Sequence, residues 1–151
     1  MGAIDKAIYY LNIKPRTRCQ LIDYLKRKEF SEEEIEEAVR QLEEYRYIDD
    51  ETYSMLYFER GFETGRGIAR IKRELAQKGV DRQVIDSVLA EMEDVPDQYR
   101  TALEIGKKIM REIGDYDPAD RQKIKAKIAR RLGSKGFTAD IVYRVIRELM
   151  E

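Results

Sequence analysis

The amino-acid sequence predicts an all-α protein made of three tandem three-helix repeats that stack into an elongated, curved array. The first observation is a set of three similar stretches, RKEFSEEEIEEAV at 27–39, QKGVDRQVIDSVL at 77–89 and SKGFTADIVYRVI at 134–146. Their spacing of roughly 50 residues is typical of repeat proteins. The second observation is that apolar residues recur every three or four positions, whereas no segment sustains the alternation of a β-strand.

The similarity between the three stretches extends back into the preceding segment with the same offsets. Apolar residues four apart in each half define one face of an α-helix, so each copy is predicted to be a helical hairpin. The matched positions are Leu21, Leu25, Lys28, Phe30, Ile35 and Val39 in the first copy, Ile71, Leu75, Lys78, Val80, Ile85 and Leu89 in the second, and Ile128, Leu132, Lys135, Phe137, Val142 and Ile146 in the third.

The turn of each hairpin carries the residues that end one helix and begin the next. A side-chain oxygen that accepts a backbone N–H bond favours the start of a helix; the three candidates are Ser31, Asp81 and Thr138. Glu34 completes a capping box in the first copy. Gly79 and Gly136 can adopt the left-handed conformation that ends a helix, whereas Glu29 replaces this glycine in the first copy at a mild energetic cost.

A further helix precedes each hairpin, over about 4–12, 50–63 and 97–113, so that each repeat contains three helices. We expect Asp49 and Asp50 to open the second of these as capping and helix-dipole residues rather than as metal ligands. Gly114 ends the third, after which Asp117 is a cap and Pro118 takes the first position of a new helix. The predicted repeats are residues 1–47, 48–95 and 96–151.

Composition excludes several classes of protein. No stretch of ~18 apolar residues could cross a membrane, and the N-terminus does not resemble a secretory signal, so we expect a cytoplasmic protein. The sequence has one cysteine and no histidine, which removes internal disulfides and the commonest ligand of transition metals. We find no catalytic constellation and expect no cofactor, no metal site and no enzymatic activity.

Two repeats share a set of cationic residues that the first repeat lacks. In the repeat alignment Arg66, Arg70 and Arg73 match Lys123, Lys127 and Arg130, whereas the first copy has Arg16, Gln20 and Asp23 at these positions. Spacing of four and then three residues predicts that each trio lies on one helical stripe beside the apolar face.

The wider charge distribution is equally uneven, although the formal net charge is only −1. Residues 30–53 are rich in carboxylates, while residues 120–136 carry seven basic residues against one aspartate. Such a surface can bind a polyanion with one part and a basic protein with another. The alternative is that charged helix faces only keep the array soluble and monomeric.

The residues that carry the repeat also resemble a known family. The run RTRCQLIDYLKRKEFSEEEIEEAVRQLEEYRYIDDETY at 16–53, followed by GRGIARIKRELAQKGVDRQVI at 65–85, is similar to the RecX regulatory proteins. Their pattern has a Lys-Gly-Phe turn, an aromatic-apolar-Asp-Asp element and a Gly-x-x-x-Ile…Glu-Leu…Lys-Gly hairpin. Two departures, Glu29 and Arg46 in place of glycines, concern turns.

The resemblance implies a modulator of the RecA recombinase. Members of this family are curved arrays of three-helix repeats that bind along the groove of the RecA filament on single-stranded DNA. They limit filament growth, ATP hydrolysis, strand exchange and coprotease activity in DNA repair and recombination. The protein would itself be no enzyme, since the ATP and Mg²⁺ belong to RecA. We expect it to be a monomer.

The charge pattern and the resemblance together predict the surface that faces the nucleoprotein filament. It consists of Arg66, Arg70, Arg73, Lys123, Lys127, Arg130, Arg131 and Lys135. Binding of free single-stranded DNA should be weak and independent of sequence, because a row of cations offers no bidentate reading of bases. Two other functions remain open: a helix-turn-helix-like DNA-binding protein, and a helical-repeat scaffold that binds only proteins.

Overall fold

The computed structural model describes all 151 residues, and its regular elements are all helical. The α-helices are α1 Ala3–Ile13, α2 Arg18–Arg27, α3 Glu32–Glu44, α4 Asp50–Glu63, α5 Ile68–Gln77, α6 Arg82–Glu91, α7 Gln98–Ile113, α8 Arg121–Lys135 and α9 Ala139–Met150. Nine α-helices and no strand confirm the predicted all-α class of three tandem three-helix repeats. None of them is both long enough and apolar enough to cross a lipid bilayer.

The chain packs into two compact units. Unit 1 contains Met1–Tyr57 and Glu74–Met92, and unit 2 contains Phe58–Arg73 and Glu93–Glu151. Residues of the second predicted repeat therefore contribute to both units. The repeat boundaries expected from the sequence remain predictions.

The core of unit 1 is formed by the apolar faces of α1, α2 and α3. Leu21 and Leu25 of α2 are fully buried and pack with Val39 and Leu42 of α3. Burial of each such side chain stabilises the fold by about 1.5–3 kcal/mol. The apolar residues that lie four apart in the sequence thus form the buried faces of α2 and α3, as predicted.

The core of unit 2 is formed by α7, α8 and α9, in which Ile128, Leu132 and Val145 are fully buried. Gly106 allows α9 to pack closely on α7, since a Cβ atom there would lie 2.9 Å from Val145 Cγ1.

The three hairpin turns have the same backbone geometry, which confirms the repeat at the level of hydrogen bonds. In each turn an N–H group bonds back to the carbonyl five residues earlier, and the residue before that N–H has a positive φ. The bonds are Phe30 to Leu25 at 3.3 Å, Val80 to Leu75 at 3.1 Å and Phe137 to Leu132 at 3.1 Å. The φ values are 66° for Glu29, 86° for Gly79 and 101° for Gly136. Glu29 therefore takes the left-handed conformation of the glycines it replaces.

Two of the three predicted N-caps use their side chains as expected. The Ser31 hydroxyl accepts the N–H of Glu34 at 3.1 Å, and the Glu34 carboxylate accepts the N–H of Ser31, which confirms the capping box. Asp81 accepts the N–H of Gln83 at 2.8 Å. Thr138 stands at the N-cap position of α9, but its side chain makes no capping bond.

The adjacent aspartates before and within α4 have different roles. Asp49 caps the helix by accepting the N–H groups of Glu51 and Thr52 at 3.1 and 3.2 Å. Asp50 is the first residue of α4 and accepts the N–H of Arg18 at 2.9 Å. Burial raises the pKa of the Asp50 carboxyl above its ordinary value.

The helix predicted to begin at Pro118 starts differently. Asp117 accepts the N–H of Ala119 at 2.9 Å, as a cap should. However, Pro118–Asp120 form a single 3₁₀ turn, and the α-helix begins only at Arg121.

The Lys-Gly turns of the second and third hairpins are also packing sites for the beginning of an earlier helix. In unit 1 the fully buried Thr17 donates its hydroxyl to the Lys78 carbonyl at 2.7 Å. In unit 2 the N–H of Gly67 donates to the Lys135 carbonyl at 2.7 Å. Thr17 and Gly67 are equivalent in the repeat alignment, as are the two lysines. We call this contact the joint of each unit; it occupies equivalent positions in the two units, but the donor is a side-chain hydroxyl in unit 1 and a backbone N–H in unit 2.

Candidate nucleic-acid interface

Helix α8 carries the densest positive charge in the chain. Its 15 residues include seven basic side chains and no carboxylate. Ile124, Ile128 and Leu132 fix one side of the helix in the core of unit 2. This anchoring leaves Lys123, Lys127, Arg130 and Arg131 exposed, as the sequence predicts.

The exposed cations of α8 differ in their partners. Lys123 lies 4.0 Å from an Asp120 carboxylate oxygen, and Arg131 lies 3.6 Å from Glu112. Lys127 and Arg130 form no ion pair. These two side chains are therefore the cations of α8 most available to an external anion.

The structure corrects the prediction that Arg66, Arg70 and Arg73 lie on one helical stripe. Helix α5 begins at Ile68, so Arg66 belongs to the preceding turn. Gly65 ends α4 with a φ of 76°, and the Arg66 N–H bonds to the Gly61 carbonyl at 2.9 Å. Arg66 and Arg70 are half-buried, whereas Arg73 is exposed.

The joint of unit 2 brings residues from two repeats together. The N–H of Ala69 donates to the Gly136 carbonyl at 3.1 Å, next to the bond from Gly67 to Lys135. A Cβ atom on Gly136 would lie 2.2 Å from Arg70 Cβ. Arg70 therefore lies directly beside the end of α8 that carries Lys135. Lys123 is at the other end of this helix, about 18 Å away along its axis.

A groove between α7 and α8 adds residues that the sequence analysis missed. Its volume is about 600 Å³, and we call it the cationic groove. Its cationic rim consists of Lys108, Arg130, Arg131 and Lys135, and its apolar floor includes Ile105 and Ile109. Lys108 was missed because it lies in α7, outside the hairpin alignment from which the matching cations were taken.

Unit 1 presents an acidic surface along α3, which contains seven glutamates in 13 residues. Arg40 pairs with Glu37 at 2.6 Å and with Glu44 at 3.1 Å. The hydrogen bond from Arg40 lowers the pKa of the Glu37 carboxyl. No group of His, Cys, Asp and Glu side chains is arranged to hold a metal ion.

Two tyrosines of unit 1, Tyr10 and Tyr24, pack against the protein's own groups, whereas Tyr9, Tyr45 and Tyr47 are exposed. Tyr10 and Tyr24 stack with their ring centroids 3.9 Å apart, and the Arg16 guanidinium lies 4.1 Å above the Tyr10 ring. Arg16 occupies the repeat position of Arg66 and Lys123, but this cation of the first repeat packs on the Tyr10 ring within unit 1.

Comparison with known proteins gives matches along the whole chain. Models of the first, second and third three-helix domains of RecX match residues 3–42, 49–89 and 96–146. "Regulatory protein RecX" of Streptomyces lividans is 33% identical over 139 residues, which cover 91% of this chain and 71% of that protein. "Regulatory protein RecX" of Lactobacillus delbrueckii subsp. bulgaricus is 30% identical over 150 residues, which cover 98% of this chain. The chain spans about half of that relative's length, 54%.

A solved structure has the same fold. The crystal structure of RecX from Lactobacillus salivarius superimposes with a TM-score of 0.82 and 26% sequence identity, covering 97% of this chain and 94% of that one. Three successive family domains, the relatives and this structure agree, and the chain therefore belongs to the RecX family of regulatory proteins.

Proposed function

We propose that this protein binds the filament that RecA forms on single-stranded DNA and restrains the recombinase, limiting ATP hydrolysis, strand exchange and coprotease activity. The observation that carries the proposal is the row of exposed cations on α8, in a chain of a family whose members are named regulatory proteins. The protein acts as a regulator and not as an enzyme, so the ATP is hydrolysed by RecA.

The cations supply the attraction to the nucleic acid of the filament. Neutralisation of phosphates by lysine and arginine releases counterions, which gives affinity without sequence preference. Lys127 and Arg130 are exposed and form no ion pair within the protein. They can therefore bind phosphate without the loss of an internal ion pair. The acidic surface of unit 1 repels DNA, and we assign to it contacts with protein subunits.

A charge-reversal variant tests this assignment. K127E/R130E should lose most of the inhibition of single-stranded-DNA-dependent ATP hydrolysis by RecA, because two favourable phosphate contacts become repulsive. The matched control is K26E/R27E, which reverses two adjacent exposed cations of α2. Arg70 is a poor choice for this purpose, since its side chain is half-buried beside the joint and not on the exposed face of α8. Inhibition by K127E/R130E equal to that of the wild type would remove α8 from the mechanism.

A pull-down with RecA, with and without single-stranded DNA and at two salt concentrations, distinguishes the proposed function from two alternatives. These are a helix-turn-helix-like DNA-binding protein and a scaffold that binds only proteins. The proposal requires capture that increases with DNA and decreases with salt. A helix-turn-helix-like protein would instead prefer particular duplex sequences. A protein-only scaffold would bind RecA equally with and without DNA.

A further inference from the structure

The cationic groove has a composition that a simple phosphate-binding surface does not need. Its rim is positively charged, but Ile105 and Ile109 form part of its floor. Its volume of about 600 Å³ lies in the range of pockets that hold small organic ligands. A ligand that fills it would therefore have both an anionic part and an apolar part.

We infer that the cationic groove holds an unstacked nucleotide of single-stranded DNA, with phosphates at the rim and the base on the apolar floor. The inference rests on the proposed function and specifies the nucleic-acid contact. A base in single-stranded DNA can leave its neighbours and present an apolar face, whereas in a duplex that face is stacked. The groove thus favours single strands over duplexes.

The surroundings of the groove favour a polymer of regularly spaced charges. Beyond the rim the row of cations continues along α8 through Lys127 and Lys123, over about 18 Å from Lys135. At the other end, the α4–α5 turn borders the floor, since a Cβ atom on Gly65 would lie 3.9 Å from Ile105 Cδ1. A strand lying in the groove can therefore extend over neighbouring cations of unit 2. An acidic peptide shares the charge but not the regular spacing.

Glu112 is the carboxylate of this groove, and it limits the affinity for DNA. It lies 3.6 Å from Arg131, and both side chains are about half exposed. An exposed pair of this kind contributes little to stability. A phosphate that reaches Arg131 must displace Glu112 or tolerate its charge. Removal of the charge should therefore tighten binding.

The experiment measures fluorescence anisotropy with two labelled oligonucleotides of about 15 nucleotides, a length that matches common single-strand sites. One is oligothymidylate and the other is an abasic strand with the same number of phosphates. The wild type should bind the thymidylate at least about three-fold more tightly, because only this strand provides bases for the floor. E112Q should tighten binding of both strands by about three- to ten-fold, as expected for one nearby repulsive charge.

The matched control for E112Q is E104Q, on the same helix. Glu104 pairs with Lys107 at 3.5 Å, as Glu112 pairs with Arg131, but it does not line the groove. E104Q should bind both strands as the wild type does. Thermal unfolding of each variant verifies that its fold is intact.

Several results would overturn the inference. Equal affinity for the two strands shows that only charge is recognised, and an unchanged affinity of E112Q shows that the strand does not bind in this groove. Displacement of the thymidylate by oligoglutamate of equal charge would assign the groove to an acidic peptide. If the wild type inhibits RecA in spite of any of these results, only the inference fails. If it neither inhibits RecA nor binds DNA, the proposed function fails as well.

Discussion

Glu29 and Arg46 are the residues other than glycine that have a positive φ, 66° and 58°. Both positions were identified in the sequence as departures from a family pattern that has glycine there. The structure explains why the departures are tolerated. Each residue lies in a turn at the end of a helix, with its side chain exposed, so the turn keeps its hydrogen bonds. The cost is only that of left-handed backbone in an L-residue, about 1–2 kcal/mol.

Replacement of Glu29 by glycine should stabilise the protein. E29G removes the left-handed strain and loses no ion pair, although glycine gains entropy in the unfolded chain. We expect a net gain of about 0.5–1 kcal/mol, or roughly 1–4 °C in the midpoint of thermal unfolding. Urea denaturation followed by circular dichroism measures the change.

Glu29→Ala is the control for this variant, because it removes the same carboxylate but keeps an L-residue in the turn. Its stability should stay close to that of the wild type. An E29G protein no more stable than E29A would show that the backbone of this turn is not strained.

At the scale of the helices, periodicity and capping residues predicted most of the fold. The segment 50–63 was predicted with the bounds that α4 has, because the aspartates at its start and the glycines that follow it are local signals. The glycines of TGRG at 64–67 indicated a turn between α4 and α5, but Arg66 was nevertheless placed on the stripe of α5, which begins only at Ile68. The geometry of this turn depends on the contact of Gly67 with Gly136. A Cβ atom on Gly67 would lie 2.3 Å from the carbonyl oxygen of Gly136. A contact between residues so far apart in sequence leaves no local pattern.

The joint of unit 2 should be sensitive to a single methyl group. In G136A the new Cβ atom would lie 2.2 Å from Arg70 Cβ and 2.6 Å from Arg70 N, so α5 must move away from α8. Lost packing adds to the left-handed strain, and we expect a destabilisation of about 3 kcal/mol or more. Chemical denaturation measures it.

Gly65→Ala separates the cost of left-handed backbone from the cost of lost packing. Gly65 has a φ of 76° and the same pattern of turn hydrogen bonds, but its nearest neighbour atom would be 3.9 Å away. G65A should therefore show the backbone cost alone, about 1–2 kcal/mol. Equal losses in G65A and G136A would mean that close packing at the joint contributes nothing.

At the scale of the whole molecule, the net charge of −1 conceals an acidic surface in unit 1 and a basic one in unit 2. The sequence revealed this separation because the carboxylates and the cations are contiguous along the chain. It did not reveal the cationic groove, because Lys108 and Glu112 of α7 meet α8 only through the tertiary packing of unit 2. Helix spacing predicts which residues share a face of one helix, but not which face of another helix they meet.

The separation of charge predicts how DNA affinity depends on salt. For single strands the logarithm of the binding constant falls with the logarithm of salt concentration by about 0.7 for each phosphate neutralised. If Lys127 and Arg130 each bind one phosphate, K127A/R130A should reduce the magnitude of this slope by about 1.4.

The control K26A/R27A removes two exposed cations of α2, in unit 1, and should keep the slope of the wild type. Anisotropy titrations of the same oligothymidylate at four or more salt concentrations give the slopes. A lower affinity of K127A/R130A with an unchanged slope would mean that these side chains support the surface without touching phosphate, whereas a reduced slope in both variants would mean that the whole protein attracts DNA without a defined face.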